Sequence, residues 1–333
     1  MPLRALLHRS GLFAYLKSHW REDARKAAEA AAAAVRKDLL QAQARTKPEE
    51  PAAPRLEALA LEVRRLTDVL NFNAEHRERA HTGAFAADRV LAHVRAAVRE
   101  APMVTAPAPH MRVPAVLPDD TYRALLAALP PDSCFSQRDP KKQNFKPRQQ
   151  DLAPEFSMQA WRFFEEQVVP QALLPAILDR FRPHLSEAYR DKYGAGTAAA
   201  MAAPLVASRG RLMLRRPGYR LAPHLDPRRV LVTCLVYFAQ PGDNEEYGTQ
   251  LFAIDSPPAI DRDNTYFPED HGHRCDPIGV MPFQPNTAVV FVNHGIAHGA
   301  EIPATAPART RRYAYQFYVA PDERAPLEPD LQP

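Results

Sequence analysis

The sequence predicts an α+β fold in which helices precede an antiparallel β-sandwich or barrel near the C-terminal end. From about residue 205, short β-branched and aromatic runs are separated by Pro, Gly, Asp and Asn, which is typical of such sheets. Before that point, long stretches carry strong helix formers or apolar residues at three-four spacing. A chain of 333 residues can bury one large core with an extension, or two modest cores.

Residues 1–105 are predicted to form an α-helical extension. The segment 22–46 contains neither Gly nor Pro and is rich in Ala, Arg, Glu and Lys, so it predicts a long helix. An apolar stripe at three-four spacing predicts the next helix, formed by Leu56, Leu59, Val63, Leu66 and Leu70. The stripe is too short for a coiled coil, so a hairpin that folds on itself is favoured over dimerisation. A third helix is expected over 84–100, and partner binding or self-association through the extension stays open.

Residues 110–204 are predicted to form a helical region that supports the sheet. Asp119 and Asp120 can cap a helix that Pro130 stops. The segment 156–193 contains three prolines, so two or three short helices are expected there. The basic segment 138–148 predicts an exposed loop, either a solvated surface turn or a lid that contacts substrate.

The charge and cysteine content restrict the class of partner and the compartment. A net charge of +4 is mild for this length, so no nucleic-acid partner is expected. The three cysteines, Cys134, Cys234 and Cys275, form no disulfide framework, which favours a cytoplasmic protein. Basic residues interrupt the first twenty positions, so no transmembrane segment is expected. A helix packed on its own protein is favoured there over a membrane-surface helix or a transit peptide.

The chemistry-bearing residues lie among the predicted strands, 210–215, 230–238, 250–254, 288–293 and 312–319. In an extended strand, His224 and Asp226 would point to the same face. His294 or His298, which follow an apolar run, can complete a two-His, one-carboxylate triad. Such a triad leaves open positions on Fe(II) that suit a bidentate 2-oxo acid and O₂. One inward arginine of the run 309–312 could bind the far carboxylate of that acid.

Residues from about 205 to 324 resemble the Fe(II)/2-oxoglutarate dioxygenases of the prolyl 4-hydroxylase type. The resemblance implies a double-stranded β-helix, or jelly roll, over 205–325. It implies His224, Asp226 and His298 as the metal ligands and catalytic residues, since the family's distal His follows an apolar strand and several loop residues. It implies that Tyr237 and the Arg312 of an Arg-Tyr-Ala strand bind 2-oxoglutarate. The segment 247–250 departs from the family's Gly-Gly-Glu pattern, and the gap from His298 to Arg312 is longer.

The resemblance implies an oxidoreductase that uses Fe(II), 2-oxoglutarate and O₂ to hydroxylate a peptidyl residue or a small molecule, releasing succinate and CO₂; ascorbate is an optional reductant. Two alternatives stay open: a cupin-like metal enzyme that ignores 2-oxoglutarate, and a non-enzymatic interaction scaffold with a degenerate jelly roll. Arg312 and Tyr237 argue against the former, and the complete ligand set against the latter.

Two further groups of residues invite a functional interpretation. His271, His273, Cys275 and Asp276 could form a small zinc site, but they lack a second, distant pair of ligands, so a loop beside the active-site mouth is favoured. Arg215 and Arg216 stand where many relatives place an aromatic residue. They predict either contact with an acidic substrate or ordinary surface arginines.

Overall fold

The computed structural model describes residues 52–76, 83–136, 138–147, 153–255 and 264–322. The chain forms two compact units, one of 1–82, 129–135 and 151–159, the other of 83–128, 136–150 and 160–333. The helices expected within 1–51 lie outside the described residues. The boundaries at 105, 110, 204 and 325 stay predictions.

The first unit contains helix α1 (Ala52–Glu75), which the apolar stripe predicts. Burial increases along this stripe, from half-buried Leu59 and Val63 to buried Leu70. The Asp68 carboxylate accepts a hydrogen bond from the Ser133 hydroxyl, and Asn73 Oδ1 accepts one from the Glu155 amide at 2.9 Å. The hairpin partner predicted for α1 lies outside the described residues.

Six further helices and one π-helical segment are described. They are α2 (Ala87–Glu100), α3 (Asp119–Ala127), α4 (Glu155–Phe163), the π-helical segment (Phe164–Leu173), α5 (Leu174–Phe181), α6 (Ser186–Tyr193) and α7 (Thr197–Ala202).

Three short helices, α4, α5 and α6, lie in the region of 156–193 as expected, but the π-helical segment joins α4 to α5, so Pro170 and Pro175 do not end a helix. Pro170 lies within the π-helical segment, where the wider turn accommodates a residue without an amide hydrogen. Pro175 cannot donate to the Gln171 carbonyl oxygen four residues before it, and that oxygen instead accepts from Arg95 Nη2 at 2.8 Å. The helical run therefore continues from Glu155 to Phe181, and a short 3-10 turn that contains Pro183 follows it.

The described strands form two antiparallel sheets. They are β1 (Met103–Val104), β2 (His110–Val113), β3 (Lys142–Phe145), β4 (Leu205–Ala207), β5 (Arg211–Arg215), β6 (Arg220–His224), β7 (Val232–Tyr237), β8 (Thr249–Ile254), β9 (Cys275–Met281), β10 (Thr287–Val292), β11 (Ile296–Glu301) and β12 (Arg312–Pro321). The larger sheet has the order β1-β2-β10-β7-β12-β5-β3, with β4 also paired to β12. The smaller sheet has the order β6-β11-β8-β9.

Strands β5 to β12 form a double-stranded β-helix, which confirms the predicted jelly roll. Successive strands are shared between the two sheets, as β5-β12-β7-β10 in the larger and β6-β11-β8-β9 in the smaller. One buried apolar cluster joins Met213, Leu235 and Phe291 of the larger sheet with Leu251 and Ile296 of the smaller. The core therefore lies between the two sheets.

The basic segment 138–148 was expected to be a loop, but it contributes edge strand β3. Phe145 is fully buried, and the strand pairs antiparallel with β5. The sequence Lys-Gln-Asn-Phe has no apolar alternation, so only its pairing with β5 makes it a strand. Across the described ranges, no helix is both long and apolar enough to cross a membrane.

Candidate functional site

A cavity of about 260 Å³ opens between the two sheets of the jelly roll. Alternate residues of a strand point to the same face, so β5 and β12 each contribute side chains from one face. The lining side chains from these strands are Arg211, Met213, Arg215, Arg312, Gln316 and Tyr318. Strands β6 and β11 of the opposite sheet contribute His224 and His298.

His224, Asp226 and His298 converge in this cavity, and one ligand atom from each lies within 4.8 Å of the others. Asp226 Oδ1 lies 3.9 Å from His224 Nε2, and Asp226 Oδ2 lies 3.5 Å from His298 Nε2. All three residues are buried. Within the part of the chain that the structure describes, they are the only such group of potential metal ligands.

The route by which these residues meet differs from the sequence expectation. Strand β6 ends at His224, so Asp226 is carried by the following loop rather than by the same strand. Leu225 between them forms an isolated bridge with Tyr266. His298 lies within β11, directly opposite His224, and follows the apolar strand β10 and the short connection 293–295.

Hydrogen bonds orient the potential ligands. His224 Nδ1 lies 3.0 Å from the Ala222 carbonyl oxygen, which can only accept, so the proton sits on Nδ1 and the lone pair on Nε2. Thr233 Oγ1 donates to Asp226 Oδ2 at 2.6 Å, and the Tyr318 hydroxyl donates to Asp226 Oδ1 at 3.0 Å. Each carboxylate oxygen is therefore fixed by one donor.

The backbone of the Asp226 loop is held by the fully buried Asn293. Asn293 Oδ1 accepts from the Asp226 amide at 2.9 Å, and Nδ2 donates to the Asp226 carbonyl oxygen at 2.9 Å. The same Nδ2 group lies 3.0 Å from the Val230 carbonyl oxygen. One side chain thus positions the carboxylate-bearing loop.

The protonation states suit metal coordination. Burial lowers the pKa of His298 to about 3 and also lowers the pKa of His224, so both rings are neutral at neutral pH. Burial opposes ionisation of Asp226, but the hydrogen bonds donated by the hydroxyls of Thr233 and Tyr318 favour its charged form and lower its pKa. Two imidazole nitrogens and one carboxylate form the donor set of non-heme Fe(II) sites. His298 Nδ1 is buried without a hydrogen-bond partner, so the protein itself does not satisfy every polar atom of the group.

Arg312 is a buried cation on the same cavity. Its guanidinium carbon lies 5.2 Å from the centre of the Tyr237 ring and 5.3 Å from that of Phe283. Its Nη2 lies 3.3 Å from Thr249 Oγ1, and its buried Nε has no partner. Within the described residues, no carboxylate forms an ion pair with Arg312.

Tyr237 lies behind Thr249 rather than on the cavity wall. The Tyr237 hydroxyl donates to Thr249 Oγ1 at 2.6 Å and accepts from the Thr249 amide at 3.0 Å. Thr249 follows Gly248, where an added Cβ would overlap the Met281 carbonyl oxygen. Glycine at 248 therefore permits the close strand approach that brings Thr249 to the cavity.

The remaining candidates lie apart from the ligand group. His294 Nε2 lies 3.3 Å from Asp191 Oδ2, and burial lowers the His294 pKa. His271 stacks on Tyr266 with ring centres 4.5 Å apart, and His273 Nδ1 lies 3.5 Å from Asp255 Oδ1. The three cysteines are buried and free of disulfides.

The sequence interpretation missed four residues of the site, which are Thr233, Thr249, Asn293 and Tyr318. Tyr318 could have been identified from the sequence, because it lies six residues after Arg312 and an even spacing places both residues on one face of a strand. Asn293 had none, because its partners are 63 to 67 residues away in the chain.

Among known proteins, this chain is similar only to solved structures. No protein-family model and no curated protein matches the chain. It is similar to a prolyl-4-hydroxylase from Pseudomonas putida, at 16% identity and a TM-score of 0.35, covering 69% of this chain and 99% of that one. HygX from Streptomyces hygroscopicus, solved with nickel, 2-oxoglutarate and hygromycin B, is 13% identical with a TM-score of 0.37, covering 64% of this chain and 83% of HygX.

A third similar structure is the non-heme alpha ketoglutarate dependent epimerase SnoN from nogalamycin biosynthesis, at 14% identity and a TM-score of 0.34. The similarity covers 71% of this chain and 83% of SnoN. At these identities and scores, the fold of this chain is defined by its own strand pairing.

Proposed function

We propose that this protein is an Fe(II)- and 2-oxoglutarate-dependent dioxygenase that hydroxylates its substrate and releases succinate and CO₂. One observation carries the proposal: a cavity that holds three potential ligand atoms within 4.8 Å of one another also holds the buried Arg312, which forms no ion pair with any carboxylate of the described residues. A metal site alone has no need of such a cation. A cosubstrate that chelates the metal and carries a second carboxylate accounts for both features.

In the proposed enzyme, His224 Nε2, His298 and one Asp226 oxygen hold the metal. Bound iron would supply the O₂ activation and the oxidising chemistry that protein side chains lack. Thr233 and Tyr318 keep the Asp226 carboxylate ionised and oriented.

The cosubstrate carboxylate binds Arg312 and the Thr249 hydroxyl. Burying a guanidinium without a counter-ion costs several kcal/mol by order of magnitude, and a bound carboxylate offsets that cost. Tyr237 acts by holding Thr249 in place, in addition to the direct contact with 2-oxoglutarate that the family resemblance implies.

The apolar wall of the cavity limits access of water. Met213, Leu221, Leu235 and Phe267 line it beside the potential ligands. The ring of Phe291 packs against His298 with centres 4.6 Å apart. Dry walls strengthen each electrostatic contact within the cavity and favour the substrate over water as the reacting partner.

The test is anaerobic titration of the full chain with Fe(II), followed by 2-oxoglutarate, while the visible absorption is recorded. We expect the weak charge-transfer band of an iron–2-oxo acid chelate. In Arg312→Ala, Fe(II) affinity should be retained and the 2-oxoglutarate concentration needed for half-maximal absorbance should rise at least about a hundredfold, since a charged pair is lost.

The other outcomes separate the alternative functions. Iron binding without the chelate band would favour a metal enzyme that ignores 2-oxoglutarate. Absence of iron binding would favour the interaction scaffold.

A further inference from the structure

Three cations occupy one row across the inner face of the larger sheet. Lys142 on β3 is directly opposite Arg215 on β5, and Arg215 is directly opposite Arg312 on β12. All three side chains line the cavity. Like charges that are directly opposite on neighbouring strands destabilise a sheet, so this row favours anions in front of it.

Arg215 is the central cation of the row and is only 2% exposed. Its Nη1 donates to the carbonyl oxygens of Gln143 at 2.6 Å and Leu214 at 3.1 Å, and its Nη2 donates to Asn144 Oδ1 at 3.1 Å. These acceptors fix the guanidinium but carry no charge. Its Nε is buried without a hydrogen-bond partner. Within the described ranges, no carboxylate forms an ion pair with Arg215.

Lys142 lies at the exposed edge of the row. No ion pair of its ammonium group is formed within the described part of the chain. The row thus runs from an exposed flexible cation to two buried, fixed ones. That arrangement can attract an anion at the mouth and orient it inside.

The charges lining the cavity do not balance, even with the proposed cofactors bound. Among the described residues that line the cavity, Lys142, Arg211, Arg215 and Arg312 oppose the single carboxylate of Asp226, which is an excess of three positive charges. Arg211 contacts only neutral groups there, namely Gln316 Oε1 and the Tyr318 hydroxyl. Because Fe(II) and 2-oxoglutarate carry equal and opposite charges, binding both leaves the excess unchanged.

We infer that the substrate is a small anion whose carboxylate or phosphate group binds Lys142 and Arg215. This inference rests on the proposed function, because it assigns Arg312 to 2-oxoglutarate and leaves the other two cations for the substrate. The cavity of about 260 Å³ lies below the roughly 300–1,000 Å³ of ordinary ligand pockets and also has to hold the metal and 2-oxoglutarate. The space that is left suits a small molecule or one charged end of a longer one.

The test measures thermal unfolding of the full chain loaded with Ni(II) and saturating 2-oxoglutarate, at constant ionic strength. The probes are matched pairs: glycerol 3-phosphate with glycerol, and 3-phenylpropionate with 3-phenylpropionamide. We expect at least one charged member to raise the Tm and neither neutral member to do so. The phosphate and carboxylate pairs distinguish the two anion classes.

Two variants and a control locate the effect. Lys142→Gln should weaken binding of the charged probe about threefold to fivefold, as expected for an exposed cation. Lys146→Gln removes an exposed lysine of the same segment that does not line the cavity, and it should leave the affinity unchanged. Arg215→Gln should cost about thirtyfold or more, since its charge is buried, but it also removes contacts to β3. If Arg215→Gln fails to fold, the comparison of Lys142→Gln with Lys146→Gln tests the inference instead.

The outcomes for the substrate and for the proposed function are separable. If Ni(II) and 2-oxoglutarate themselves fail to raise the Tm, the dioxygenase proposal fails. The affinities of Lys142→Gln and Lys146→Gln for the charged probes are then compared in the absence of Ni(II) and 2-oxoglutarate. Equal effects of the charged and neutral probes, or equal affinities in these two variants, overturn the anionic-substrate inference. The anionic-substrate inference is also overturned if saturating 2-oxoglutarate abolishes binding of the charged probes, because the probes then occupy the Arg312 site.

Discussion

Asn293→Ala should weaken metal binding, although Asn293 is not a potential ligand. Its side chain makes the two bonds that hold the Asp226 backbone, both at 2.9 Å, and a third at 3.0 Å to the Val230 carbonyl oxygen. A net contribution of about 1 kcal/mol for each bond gives a loss of about 3 kcal/mol in the free energy of unfolding. Part of this lost free energy stabilises the loop conformation in which the Asp226 carboxylate points at the metal site, so Fe(II) affinity should fall about tenfold or more.

Asn286→Ala provides a matched control for this variant. Asn286 also holds a loop backbone, since its Oδ1 accepts from the Leu117 amide at 2.9 Å and its Nδ2 donates to the Leu117 carbonyl oxygen at 2.7 Å. It is buried and does not line the cavity. Its φ of 51° adds strain to an alanine there, so the control should lose about 2 kcal/mol or more.

The assay combines urea unfolding of the metal-free proteins with anaerobic Fe(II) titration of the folded ones. We expect both variants to lose stability and only Asn293→Ala to lose Fe(II) affinity. Equal Fe(II) affinities in the two variants would refute the role assigned to Asn293. An unchanged urea midpoint in Asn293→Ala would refute the energetic reasoning.

Three further predictions concern the same group. His298→Ala should abolish Fe(II) binding while His294→Ala retains most of it, as measured by equilibrium dialysis under anaerobic conditions; the reverse result would exchange their roles. Tyr318→Phe removes the donor to Asp226 Oδ1, so Fe(II) affinity should fall about threefold to tenfold and the ligand-field spectrum of a Co(II)-substituted protein should shift, whereas identical spectra would exclude this role. Because burial lowers the His298 pKa to about 3, the neutral ring stabilises the fold above its unfolded pKa of about 6.5, and this contribution is lost as the pH falls toward 3. Between pH 7.5 and 5, metal-free wild type should lose about 2 kcal/mol through this ring, and urea midpoints of His298→Gln should depend much less on pH.

The sequence by itself determined the fold class and much of the candidate site. The predicted strands 210–215, 230–238 and 312–319 overlap the observed strands β5, β7 and β12, because these segments are apolar at most positions and bounded by turn residues. The pattern offered His224 and Asp226 with either His294 or His298, and the family resemblance then selected His298 and Arg312. The side chains of His224, Asp226, His298 and Arg312 line one cavity. Local periodicity supports such inferences within a strand, because it fixes which face of the strand each residue occupies, whereas Asp226 lies in the loop after β6.

The tertiary structure alone decided how distant segments meet. Strand β3 has no apolar alternation and becomes a strand by pairing with β5, which places Lys142 beside Arg215. Thr249, and not Tyr237, lines the cavity, and the hydroxyl groups of the two residues are hydrogen-bonded to each other. Asn293 reaches the Asp226 backbone across 67 residues of chain. Such contacts depend on strand register and sheet packing, which are long-range properties that a one-dimensional pattern of side chains does not specify.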